Sequence, residues 1–247
     1  MFLNSASLLQ LQRLREVYKV TKLDYILRKN QIMEASKPII NRGALIVLEG
    51  CDRCGKSTQS NMLVHFLQAR GICVKHMNFP ARQSQIGQVI NSYLTNKQEL
   101  SDECIHLLFS ANRWEFKKDI KKLLEAGTTL VVDRYSYSGI AYSVAKGLSY
   151  DWCSGPEKGL IQPDAVFYLK TCIEKLSDRG NYGEERYERK EFQRKVSDVF
   201  NRIYEEEKNY WHEVDASKSI NDIHTEICTK SLSIVRDVHT KPLKLLQ

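Results

Sequence analysis

Short apolar runs alternate along this chain with longer stretches whose apolar residues recur every three or four positions. Ala44-Leu-Ile-Val-Leu-Glu49 is an apolar run of strand length that enters a glycine-bracketed turn. Beyond it Met62, Leu63, Phe66 and Leu67 recur at helical spacing up to Gly71, the expected stop. Ile72 to Phe79 reads as a second strand, broken by Pro80. A short helix over Gln85–Leu94 follows. Ser101 then caps a long amphipathic helix that carries Ile105, Leu108, Phe109 and Trp114 and stops at Gly127. Asn96-Lys97-Gln98-Glu99, between those two helices, reads as a solvated turn. The pattern continues with a strand over Thr128–Asp133, a helix over Ser138–Ala145, a Gly/Pro-marked loop over 155–163 and a strand over Ala165–Lys170. A helix over 190–209, a short strand Trp211–Asp215 and a helix from about Ile220 complete it. Strand and helix alternate throughout, which predicts an α/β fold built on a doubly wound parallel sheet. Only residues 179–188 break the rhythm, with two glycines and many charges, and they read as a mobile lid.

The first 42 residues stand apart from this pattern, so the expected division is an extension over 1–42 and one domain over 43–247. The net charge of +7 is concentrated in that extension, which carries eight Lys/Arg against three Asp/Glu and leaves only +2 for the rest. The body therefore has no general nucleic-acid surface. Met1 to Arg15 lacks acidic residues and places Leu8, Leu11, Leu14 and Tyr18 at helical spacing, as mitochondrial transit peptides do. Glu16, Asp24 and a second candidate start at Met33 favour a disordered or loosely helical extension instead. No apolar run approaches the length of a membrane span. Seven cysteines without a secretory signal point to free thiols in a reducing compartment, cytoplasmic or nuclear, with a mitochondrial location through residues 1–42 as the alternative.

The candidate chemistry starts where the first strand ends. Gly50-Cys-Asp-Arg-Cys-Gly55-Lys56-Ser57-Thr58 fits G-x-x-x-x-G-K-[ST] at every fixed position, between a strand and a helix as that motif requires. The glycines let successive amides turn toward phosphate oxygens, and the helix N-terminus adds positive potential. Lys56, read as an exposed loop cation, would reach the β- and γ-phosphates, and the Ser57 hydroxyl would bind magnesium. Asp133, ending the third strand, sits where such folds place a carboxylate near that metal, and Arg134 follows it. Such a loop serves kinases, motors, switches and remodelers alike. A compact chain with a lid and scattered arginines, and without a guanine-reading loop, suits phosphoryl transfer between two small anions. Cys51 and Cys54 form a C-x-x-C pair beside a helix N-terminus that lowers thiol pKa; they read first as two small loop residues, with a redox-sensitive bridge inside the cradle as the alternative.

Taken in order, Gly43–Ser60, Phe79-Pro80 with Arg82, His106–Glu115, Val131–Tyr135 with Ser138-Gly139, Asp151–Cys153, Glu185–Glu188 and Val214–Ser219 resemble the thymidylate kinases of the eukaryotic type, which are nucleoside monophosphate kinases. The resemblance implies a three-layer α/β/α fold with a five-stranded parallel sheet and a mobile lid of Glu185, Arg186, Tyr187 and Glu188. It also implies a homodimer, Mg²⁺, ATP as donor and dTMP as acceptor, yielding dTDP for dTTP synthesis. Gly50 through Thr58 and Arg179 would hold ATP. Phe109 would stack on thymine, and Arg113, which offers only donors, would meet its O4. Arg82 and Arg134 would hold the dTMP phosphate, Asp52 would contact the 3′-hydroxyl, and Tyr187 would close over the sugar. Phe79, Ser138, Gly139 and Tyr142 would complete the acceptor site. Ser57, Asp133 and Glu188 would surround the metal. Arg53, Lys56 and Asp133 would be catalytic, with Arg53 supplying the transition-state charge in place of the lid arginines Arg179 and Arg186. Tyr142 stands where relatives often have Phe, and Ala81 where they often have Glu.

Overall fold

The computed structural model describes residues 41–172, 174, 186–187 and 189–247. Five strands form one parallel sheet: β1 (Leu45–Glu49), β2 (Val74–Asn78), β3 (Thr129–Asp133), β4 (Ala165–Lys170) and β5 (Trp211–Asp215), in the spatial order β2-β3-β1-β4-β5. Among the described residues the helices with stated bounds are α1 (Lys56–Gln68), α2 (Gln85–Leu94), α3 (Asp102–Glu125), α4 (Ser136–Ala145), α5 (Tyr150–Ser154), α6 (Lys190–Glu206) and α7 (Ile220–Val238), with a 3₁₀ turn at Gly155–Glu157. Helices α1 and α7 pack together, while α2, α3, α4 and α6 pack in succession, giving the expected layer on each face of the sheet. Strands β1 and β3 read as continuous apolar runs because both faces are covered: every one of their residues is buried. Edge strand β2 is half-buried and mixes Lys75, His76 and Asn78 with its apolar residues.

Element boundaries follow local chemistry. Ser84, Ser101 and Ser219 cap α2, α3 and α7, each accepting a backbone amide hydrogen bond from the first turn, and Asp102 and Glu103 complement the start of α3. The second strand is shorter than its apolar run, Val74–Asn78 against the expected 72–79. Helix α4 begins two residues early, at Ser136, and α6 ends three early, at Glu206. Helix α5 falls in a stretch too short to show a period, held by the Ser149 cap.

Parallel pairing puts every strand's C-terminal end on one edge of the sheet. Leu48 and Asn78 both pair in register with Asp133, and Glu49 pairs with Tyr168. The chain leaves β1 toward one side of the sheet and β4 toward the other, so a crevice opens where their carboxyl ends diverge. The loops after β1, β2, β3 and β5 converge there.

Candidate active site

The loop after β1 owes its shape to backbone conformations that ordinary residues avoid. Gly50 has φ 144°, and a Cβ on it would stand 2.6 Å from the Leu169 carbonyl oxygen. Gly55 has φ 103° and begins α1 without a side-chain cap, so the first amides of that helix stay open toward the loop. Lys56 is not the exposed cation expected from sequence. It is 4% exposed, and its Nζ donates to the Cys51 carbonyl at 2.6 Å, because the loop closes over its aliphatic stem. The Ser57 hydroxyl donates to Asp133 Oδ2 at 2.5 Å, while Asp133 Oδ1 is buried without a hydrogen-bond partner among the described residues.

The alternative of a redox bridge meets an unfavourable environment, and the reading as small loop residues is the one the burial favours. Cys51 and Cys54 are buried free thiols, and burial, reinforced by the neighbouring Cys54, pushes the Cys51 thiol up to about 12. Desolvation thus outweighs the helix N-terminus, and Cys51 is an inert packing residue rather than a ready thiolate.

Two pockets meet at this loop. One, of about 570 Å³, is lined by Asp52 through Gln59 on the loop side and by Ala216, Lys218, Ile220 and Ile223 after β5. Gly50 and Cys51 lie behind this lining and shape it. The other, of about 220 Å³, brings together all ten residues assigned to the acceptor: Asp52, Phe79, Arg82, Phe109, Arg113, Arg134, Ser138, Gly139, Tyr142 and Tyr187. Asp52, Ser57 and Arg134 belong to both walls. Arg179, Glu185 and Glu188 lie outside the described residues.

Within the smaller pocket the polar groups are already oriented. Arg134, at φ 64°, donates to the Gly50 carbonyl at 3.2 Å and to Ser138 Oγ at 3.1 Å, and it pairs with Asp52. Burial opposes its charge, but Tyr142, Asp52, Asp133 and Glu49 together hold it protonated well above its ordinary range. Arg82 donates to Asn91 Oδ1 at 2.7 Å. Arg113 reaches back into a buried bidentate pair with Glu157, its Nε 2.8 Å from Oε2 and its Nη2 on Oε1. The Nη end of its guanidinium lies close against Gly139, where a Cβ would come within 2.5 Å of Nη2. Phe79 serves two ends, lining the pocket and packing edge-on to Phe116 at 5.8 Å. Tyr187 stacks on Phe192 at 5.2 Å. Arg186 is not brought to the phosphate loop. It forms a bidentate pair with Glu99 (2.6 and 2.9 Å) and stacks over Tyr93, and that bond holds the Glu99 carboxyl below its usual range.

Three supporting residues escaped the sequence reading. Glu49, fully buried at the end of β1, accepts from the Tyr135 and Ser138 amides (2.8 and 3.1 Å) and from Ser138 Oγ (2.5 Å). Burial raises its pKa, and these bonds oppose the rise. Gln193 exchanges two hydrogen bonds with Asp52 and donates to the Tyr187 carbonyl, tying the loop to α6. Glu157 fixes Arg113. Of the three, only Glu49 left a signal, as a carboxylate closing an otherwise apolar strand.

Comparisons with known proteins agree with this geometry. The thymidylate kinase family profile matches residues 48–227. A thymidylate kinase of Arabidopsis thaliana is 48% identical over 206 residues, covering 83% of this chain and 77% of its own. The human thymidylate kinase is 46% identical over 203 residues, covering 82% and 96%. A thymidylate kinase structure from Candida albicans superposes with a TM-score of 0.76 at 37% identity, covering 83% of this chain and 99% of that one. With a phosphate cradle, a second pocket sharing its wall, and relatives matched over four-fifths of the chain, this protein belongs to the thymidylate kinase family.

Proposed function

We infer that this thymidylate kinase carries out its reaction, the ATP-dependent phosphorylation of dTMP to dTDP, with the ATP phosphates on the Gly50–Thr58 loop and dTMP in the smaller pocket. The observation that carries this reading is the shared wall: Asp52, Ser57 and Arg134 face both pockets, so a donor phosphate and an acceptor phosphate meet there. Phosphoryl transfer needs little covalent help from protein and depends on positioning and charge. Lys56 and the α1 amides draw charge off the donor phosphates, and Arg53, on the donor wall, neutralises the migrating group. Arg134 and Arg82 hold the acceptor phosphate, Asp52 the sugar hydroxyl, Phe109 and Arg113 the base, while Tyr187 and Tyr142 close over the sugar.

Ser57 and Asp133 fit a magnesium ion. They offer hard oxygen donors 2.5 Å apart, Asp133 Oδ1 has no partner among the described residues, and those residues contain no cluster of three or more acidic, Cys or His ligands. That donor set matches an ion which keeps most of its shell as water and phosphate oxygen. Bound there, with Glu188 as a further candidate, Mg²⁺ would neutralise charge between the donor phosphates. Residues 43–247 form the catalytic domain in this reading, with Arg42, the last residue before it, bonded into it through Asp164 and Lys241. Residues 1–42 are an extension whose alternatives are a mitochondrial signal or a segment of a cytoplasmic or nuclear enzyme. No helix among the described residues is long and apolar enough to cross a membrane.

A homodimer is supported by an exposed apolar strip. Leu107 (46% exposed) and Trp114 (38%) lie two turns apart on α3, and the exposed Trp152 (41%) packs its ring 5.2 Å from that of His106 on the same helix. The testing experiment is ADP release with ATP and each of dTMP, dUMP, dCMP and dGMP. dTMP turns over fastest, and comparable rates with dCMP would remove the base assignment.

A further inference from the structure

We propose that Glu157 is a positioning residue which converts Arg113 from an anion-binding cation into a fixed hydrogen-bond donor, so that this end of the cleft takes a nucleobase carbonyl rather than a phosphate. The inference rests on the reading of Arg113 as the group that meets the base. Three arginines line the same small cleft, and a guanidinium binds phosphate bidentately as readily as it donates to a carbonyl. Something must therefore tell the base end from the phosphate end.

The arginines differ in how their charge is met. Arg134 meets Asp52 through a single carboxylate oxygen, with both side chains about one-fifth exposed, so an incoming anion can compete for it. Arg113 instead gives both Nε and Nη2 to the two oxygens of Glu157, and each side chain is only 3% exposed. A dry bidentate pair of this kind is not displaced by a ligand anion, because breaking it strands a buried charge. Arg113 therefore enters the cleft nearly charge-neutral, with the Nη1 hydrogens left to donate.

The carboxylate is itself held. The Pro156 carbonyl accepts from Ser110 Oγ at 3.0 Å and from Trp114 Nε1 at 2.7 Å, so α3, the helix that carries Arg113, also clamps the turn carrying Glu157. Gly139, lacking a Cβ, leaves room at the Nη end of the guanidinium and no space for it to shift that way once a side chain is added. Rotation of Arg113 toward an acceptor phosphate is thus blocked by geometry as well as by charge.

The test replaces Glu157 by Gln, which keeps the shape and removes the charge. With ATP and dTMP as substrates, the expected outcome is a dTMP KM raised about tenfold, with kcat within about twofold and ATP KM unchanged. Inorganic phosphate, used as the probe anion, should inhibit competitively against dTMP about tenfold more strongly than in the parent enzyme. The E157D variant guards against misfolding of E157Q: it retains the charge, withdraws the carboxylate, raises the dTMP KM and stays insensitive to phosphate. Unchanged phosphate inhibition in E157Q would overturn the proposal, as would equal losses for dTMP and ATP, which mark a merely structural role. If E157Q does not fold, an unaltered dTMP KM in E157D overturns it instead. The prior reading has its own arm: an R113Q enzyme that still prefers dTMP over dCMP as strongly as the parent shows that Arg113 does not read the base, whatever E157Q does.

Discussion

Arg53 sits at φ 61°, a backbone conformation that glycine adopts without strain. Arg53→Gly should therefore let the loop keep its backbone conformation while removing the side chain and its charge. The expected outcome is a kcat loss of about 10³-fold or more with the dTMP KM nearly unchanged, measured in steady state with ATP saturating. A loss confined to ATP KM would make Arg53 a binding residue only. Gly139 makes the opposite demand, space rather than conformation. Gly139→Ala places a Cβ against the Arg113 guanidinium and should raise dTMP KM about tenfold or more with ATP KM unchanged. Equal effects on both substrates would mean that α4 itself has shifted. Arg53 and Arg134 were legible in the chain because their signals are local, a loop motif read over nine residues and an Arg after a strand-ending Asp, whereas Gly139 was reached only through the family resemblance. Glu157, Gln193 and Glu49 were not legible, since each acts on a partner 44, 141 or 86 positions away and nothing near it in sequence announces the contact.

At the scale of elements, burial overrides what a helix N-terminus does to neighbouring thiols. The Cys51-x-x-Cys54 pair begins the turn into α1, where open amides favour thiolate, yet both sulfurs are packed against the core. Thiol labelling at pH 8 should accordingly be rapid at the exposed Cys73, Cys104 and Cys172 and slow at Cys51 and Cys54 until the protein unfolds. Mass spectrometry of partly labelled protein reads this directly, and early modification of Cys51 would restore the redox interpretation. Strand and helix order was legible because β1, β3 and β4 are covered on both faces and so carry unbroken apolar runs, while α3 and α7 show their serine caps. Helix α5 and the following 3₁₀ turn were not. Five residues hold little more than one turn, and their conformation is imposed by α3 through the Pro156 carbonyl rather than by their own pattern.

The whole domain is gathered at the sheet edge opposite the active site by one ion pair. Arg42, before β1, forms two 2.7 Å bonds with Asp164, before β4, and also donates to the Lys241 carbonyl, while Asp164 accepts from the Leu45 amide. Asp164→Ala strands a buried guanidinium and an amide, which costs about 3 kcal/mol when one partner of such a pair is lost. For a domain of this size that lowers Tm by roughly 6–12 °C, with KM values unchanged because the site lies at the other edge. A Tm within about 2 °C of the parent would show the clamp to be redundant. At the active edge the analogous joint is Arg134, which holds the Gly50 carbonyl and Asp52 of the donor loop while lining the acceptor cleft. If Arg134 holds the dTMP phosphate, as proposed, a change that ATP makes in that loop would reach it, and linkage would make the coupling symmetric. If ATP tightens dTMP by some factor, dTMP tightens ATP by that same factor, so neither nucleotide is the regulator of the other.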